Sequence, residues 1–121
     1  MTRLVVRLPL PDKRLSPNAR AHWAVKSIAA RAARHDGWLA TMMVRNGYES
    51  FPEPSRIPVA LHFIMPTARR RDTDNLFAGC KAYLDGVADA LGVDDSRFDF
   101  TITREVRKGE AAVVLTIGGA E

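Results

Sequence analysis

Two hydrophobic periods alternate along this chain, and their order constrains its fold more than any other feature. Leu4 to Leu8 reads as a first strand. Val59, Leu61 and Phe63 alternate with Ala60, His62 and Ile64, as suits a strand covered on both sides. Phe98, Phe100 and Ile102 alternate with Asp99, Thr101 and Thr103, and Val113, Leu115 and Ile117 repeat the period of two. Arg107-Lys108-Gly109 is expected to turn these last two strands into a hairpin. Between the strands lie two stretches of helical period. The first, about 18–46, has Ser16-Pro17 as an N-cap with proline at the first helical position, and Asn46-Gly47 at its end. The second, about 73–91, carries an apolar stripe of Phe77, Cys80, Leu84, Val87 and Leu91. The order β-α-β-α-β-β predicts an α+β fold: one domain over residues 1–121, a roughly four-stranded mixed sheet packed with two helices.

The chain of 121 residues is long enough for one hydrophobic core. Its single cysteine, Cys80, excludes an internal disulfide framework and any multi-cysteine zinc site, and reads as a small core hydrophobe. Pro9, Pro11 and Pro17 frame an irregular loop after the first strand, and Pro52, Pro54 and Pro58 mark another across 48–58. The apolar run Leu4 to Leu10 is broken by Arg7 and is far too short to span a bilayer. It also lacks a signal-peptide core, so a cytoplasmic protein without membrane association is expected.

The net charge of +4 hides a partition. Residues 1–71 hold 13 basic and 4 acidic side chains, residues 72–121 hold 5 basic and 10 acidic, and the change falls at Arg69-Arg70-Arg71-Asp72. On the first helix, Val25, Ile28, Ala32, Leu39, Met42 and Met43 share one face at ~100° per residue. Arg20, Arg31, Arg34 and Arg45 share another with Trp38. That second face reads either as a solvated helix surface or as a basic wall for a phosphate backbone.

Carboxylates gather where strands give way to helices. Asp72 and Asp74 stand two apart in Arg71-Asp72-Thr73-Asp74-Asn75, which sends both to one side of an extended backbone. Asp94 and Asp95 follow the second helix and return near the first pair if that helix runs back along the sheet. Converging carboxylates call for a cation, and magnesium is the hard ion that takes carboxylate oxygens, water and substrate phosphate together. Capping and turn formation are the competing reading of the same aspartates. Lys81 shares a helix face with Asp74 and Asp85. It reads either as an i,i+4 partner of Asp85 or as a cation for a phosphate. His22, His35 and His62 show no ligand or triad spacing.

The run Asp72-Thr73-Asp74-Asn75-Leu76, Lys81, Leu84-Asp85-Gly86 and Gly92-Val93-Asp94-Asp95-Ser96 resembles the RusA family of Holliday-junction resolvases, common in phages and prophages. Leu8-Pro9-Leu10-Pro11 and Ser16-Pro17-Asn18 resemble that family's proline-rich loop with its asparagine, Leu10 standing where an aromatic is usual. Lys81 follows Asn75 after five residues, where the best-known member type has two. Three extra residues are close to one helical turn and keep the same face.

The resemblance implies a RusA-like fold and a homodimeric endonuclease. Such an enzyme resolves four-way DNA junctions by paired phosphodiester hydrolysis in DNA recombination or repair, with Mg²⁺ as cofactor and Mn²⁺ as a substitute. It implies that Asp72, Asp74 and Asp95 are catalytic and hold the metal, with Asp94 an auxiliary. It makes Lys81 the catalytic cation, and Asn18, Arg69, Arg70, Arg71 and Lys81 the DNA-binding set. One alternative is a non-catalytic branched-DNA-binding protein of the same fold. Another is a metal-binding domain with a nucleotide substrate.

Overall fold

The computed structural model describes residues 3–45, 55–68 and 73–119. Four strands form one sheet: β1 (Arg3–Leu8), β2 (Ile57–Met65), β3 (Phe98–Val106) and β4 (Ala112–Gly118). Three helices accompany them: α1 (Trp23–Val44), α2 (Thr73–Gly79) and α3 (Lys81–Leu91). Short 3-10 turns at Lys13–Leu15 and Asp95–Arg97 lead into α1 and β3.

The sheet order is β1-β4-β2-β3; β4 runs antiparallel to β1 and β2, and β3 runs parallel to β2. The α+β architecture and the four-stranded mixed sheet agree with the sequence reading; the order, β-α-β-α-α-β-β, has one helix more. The expected hairpin is absent. A turn does form, with Glu110 N donating to Arg107 O over 3.0 Å and Gly109 at φ +78°, but β2 lies between β3 and β4. Arg107 N instead donates to Met65 O, so the connection passes over the end of β2. A parallel β2–β3 pair requires a crossover, and α2–α3 supply it.

The core lies on one side of the sheet. Leu4, Val6 and Leu8 of β1, Ile57, Val59, Leu61 and Phe63 of β2, and Val113, Leu115 and Ile117 of β4 pack against Ala33, Leu76, Cys80, Leu84, Val87 and Leu91 of the helices. The opposite face of β2 is half-exposed at Ala60 and His62 and becomes buried only at Ile64, so β2 is not covered on both sides along its length.

The second helical stretch divides at Gly79-Cys80. Cys80 N donates to Phe77 O, three residues back, which tightens the turn and redirects the chain before α3. Gly79 packs closely there, an added Cβ lying 3.0 Å from the Pro11 side chain. Helix α1 starts later than Ser16-Pro17 predicts. Ser16 and Pro17 belong to a turn, closed by Ala19 N donating to Ser16 O, and the cap is His22, whose Nδ1 accepts from Ala24 N. The Asn46-Gly47 end lies outside the described residues.

Helix α1 also turns a different face inward than its large apolar residues predict. The buried positions are Ala29, Ala33, Gly37 and Thr41, while Ile28, Leu39, Met42 and Met43 face solvent. Close approach to α3 explains the choice. An added Cβ at Gly37 would lie 2.3 Å from Tyr83 O, and one at Gly86 would lie 2.0 Å from Arg34 O. Only small residues let the two backbones meet, so small residues occupy the seam. Arg34 then reaches across to Asp89 with two bonds of 2.7 and 2.9 Å, and Arg45 donates to Ala90 O at the end of α3. Two of the four arginines expected to form a basic wall are thus committed to α3, and Arg20 precedes the helix.

Candidate active site

The crossover places α2, α3 and the turn before β3 along one side of the sheet. Asp74 lies in the first turn of α2, where a carboxylate is favoured by the helix dipole. Lys81 opens α3, and Gly92, in the left-handed region at φ +67°, ends that helix and reverses the chain towards Asp94 and Asp95. The reversal brings Asp95 back to the start of α3, with Lys81 Nζ 3.9 Å from Asp95 Oδ2. Fourteen positions apart in the chain, these two groups meet, a pairing the sequence reading does not make. Both are solvent-exposed, Lys81 at 76% and Asp95 at 42%, so the contact is screened and free to rearrange around a ligand.

Asp85, one turn along α3 from Lys81, is drawn into the same cluster. Partial burial raises its carboxyl above the ordinary value, Asp95 adds to the rise by charge and by a shared hydrogen bond, and Lys81 opposes it. Two carboxylates in contact are a donor set suited to a proton or a hard cation. Asp94 takes a different part: its Oδ1 accepts from Ser96 N over 2.9 Å, which caps the 3-10 turn and holds its own carboxyl below the ordinary range. Its role is to fix the loop that presents Asp95.

Asp72, Arg69, Arg70 and Arg71 lie outside the described residues. Among the described residues no three His, Cys, Asp or Glu side chains form a metal-holding group. The carboxylates that meet are Asp85 and Asp95; of the expected metal set, Asp74 lies in the first turn of α2 and is not joined to them in such a group.

Asn18 comes to this region through the proline-rich loop. With Lys13 and Asn75 it lines a cleft of about 360 Å³ between that loop and α2. The loop is held by Tyr83, whose hydroxyl donates to Pro9 O, and by Asp12, which accepts from Arg14 N, Nε and Nη2. Arg104 is a further cation that sequence reasoning does not single out: its Nη1 donates to Thr73 Oγ1 over 3.3 Å, beside the start of α2. The signal was available. Arg104 pairs with Phe63 in the β2–β3 register and so takes the helix-side face occupied by Phe98, Phe100 and Ile102, where an apolar residue is expected.

His62 lies on the other face of the sheet, bonded to Thr103 Oγ1 and Glu105 Oε1 at 2.6 Å each, away from these groups. Cys80 is fully buried, and burial pushes its thiol up to about 12, in keeping with a core role. Among the described residues, no helix is long and apolar enough to cross a membrane.

No family model matches the chain. It is similar to an uncharacterized protein of Xylella fastidiosa (strain Temecula1 / ATCC 700964), 45% identical over 116 residues that cover 93% of this chain and 74% of the relative.

Proposed function

We propose that this chain, which belongs to one family with the uncharacterized Xylella fastidiosa protein, is a RusA-like, magnesium-dependent endonuclease that nicks four-way DNA junctions in the cytoplasm. What carries the reading is the approach of Lys81 to Asp95 across the α3 reversal, next to Asp85 and on the side of the sheet where α2 presents Asp74. Asp72, Asp74 and Asp95 would hold the ion. Bound there, Mg²⁺ or Mn²⁺ supplies charge compensation and an activated water for phosphodiester hydrolysis.

The chain's own groups bind and orient the phosphate. Lys81, exposed and loosely paired, exchanges Asp95 for a phosphate oxygen and stabilises the charge that develops on it. Asn18 and Lys13, at the adjoining cleft, contact the backbone beside it. Arg69, Arg70 and Arg71 anchor the flanking strand. One such site per subunit makes symmetric nicking the work of a homodimer with two-fold symmetry.

The non-catalytic alternative is separated by Asp74→Asn. For an endonuclease this variant loses nicking of a synthetic junction while its binding in a gel-shift assay is kept or strengthened. A variant that still nicks removes Asp74 from the mechanism, and a parent that binds the junction without nicking it favours a binding protein. Cleavage of mononucleotides with no preference for branched DNA would favour a nucleotide hydrolase instead.

A further inference from the structure

Beside Lys81 and Asp95 opens a cleft of about 480 Å³, walled by Phe77, Leu84 and Phe100 and rimmed by Ser96. It exists because the helices cover β2 and leave β3 partly bare: Phe100 pairs with the buried Val59, yet is 40% exposed. Phe100 is braced on two sides, edge-to-face with Phe77 at 5.1 Å and with Phe98 at 6.1 Å. The result is an apolar aromatic slot of ligand size with a cation at its mouth.

We infer that this cleft receives an unstacked nucleobase, the one attached to the nucleotide whose phosphate Lys81 holds. The inference rests on the endonuclease reading and adds to it the way the site selects its DNA. Lys81 and Asp95 belong both to the cleft and to the candidate active site. A group seated against Phe100 is therefore a covalent neighbour of the phosphate at Lys81, and in a nucleic acid that neighbour is a nucleoside. A flat π-surface suits any base, and Ser96 at the rim, its hydroxyl donating to Asp94, keeps an acceptor oxygen for the base edge. The cation at the mouth complements the phosphate. Bases inside a continuous duplex remain stacked, whereas those at a branch point leave the stack at low cost. The slot thus favours branched DNA without reading a sequence.

The test is a set of four-way junctions carrying 2-aminopurine in turn at each position around the exchange point, bound with Ca²⁺ in place of Mg²⁺ so that the strands stay whole. Binding of the unaltered protein raises the fluorescence at a position next to the nick. Phe100→Ala abolishes the rise and weakens junction binding roughly tenfold, the loss of one base-stacking contact. Phe100→Trp retains the rise, and Ala78→Trp, filling the cleft from its exposed rim, removes it without touching the core. Binding with no rise at any position overturns the inference and leaves the endonuclease reading standing. So does a rise that survives Ala78→Trp, and loss of the dimer in that variant would then assign the slot to a second copy. Failure to bind branched DNA at all overturns both.

Discussion

Asp12 holds the proline-rich loop in place, and its charge can be followed by pH. Hydrogen bonds from the Arg14 side chain, then from its backbone N–H, hold the Asp12 carboxyl down at about 2 against an ordinary 3.8. A carboxylate lowered in the folded state contributes stability that is fully present above pH 3.8 and is lost as pH falls towards 2. Asp12→Asn keeps the cap but loses the charge, so its thermal midpoint should fall slightly below the parent's at pH 7 and converge with it near pH 2. A constant offset across that range would show that the pair does not titrate as described. On the proposed function, Lys81→Ala should slow junction nicking about a hundredfold and leave the melting curve unchanged, since the side chain is 76% exposed. At this scale the legible residues were those whose spacing is local. Asp74, Asp94 and Asp95 sit at element ends, where sequence marks the end itself, whereas Lys81, expected inside one helix, opens α3 because that stretch divides at Gly79-Cys80. Arg104 was legible only as a charge at the next step of the Phe98, Phe100, Ile102 alternation; its neighbour across the sheet is set by the β2–β3 register, which no local spacing reports.

Glycine decides how the elements meet. Gly37 and Gly86 let α1 and α3 approach until backbone faces backbone, and Arg34–Asp89 spans the seam from outside. Gly86→Ala puts a methyl group 2.0 Å from Arg34 O, and neither backbone can yield without moving a helix. A loss of about 3 kcal/mol is expected in urea unfolding, and an unchanged midpoint would refute the close packing. This seam also explains why the face of α1 was misread. Hydrophobic periodicity assumes that the largest apolar residues turn inward; here the inward face is chosen for smallness, leaving Ile28, Leu39, Met42 and Met43 outside. The hairpin failed for a related reason. Two alternating segments joined by a short turn look like a hairpin locally, yet the crossover α2–α3 had already put β3 parallel to β2, on the side of β2 away from β4. The element types were legible, and the pairings, which depend on crossover geometry, were not.

For the molecule as a whole, paired nicking as proposed requires a second copy, and the exposed apolar stripe of α1 is the surface on which it would sit. Val25, Ile28 and Ala32, then Leu39 and Met42, follow the three- and four-residue spacing of a helix–helix seam, interrupted at His35-Asp36. A dimer of about 27 kDa, twice the 13.4 kDa chain, is expected by light scattering, and Leu39→Glu should shift it to monomer with its fold intact. The charge partition takes its meaning at the same scale, since its boundary at Arg71-Asp72 leads directly into α2 and the site. The proposed function is junction cleavage. A four-way junction labelled on each strand in turn, incubated with the protein and Mg²⁺ and resolved on a denaturing gel, tests that claim most directly. Paired nicks at symmetry-related positions on two opposed strands, dependent on the metal, are the predicted result. Intact strands across several junction sequences, with Mg²⁺ and with Mn²⁺, would contradict it.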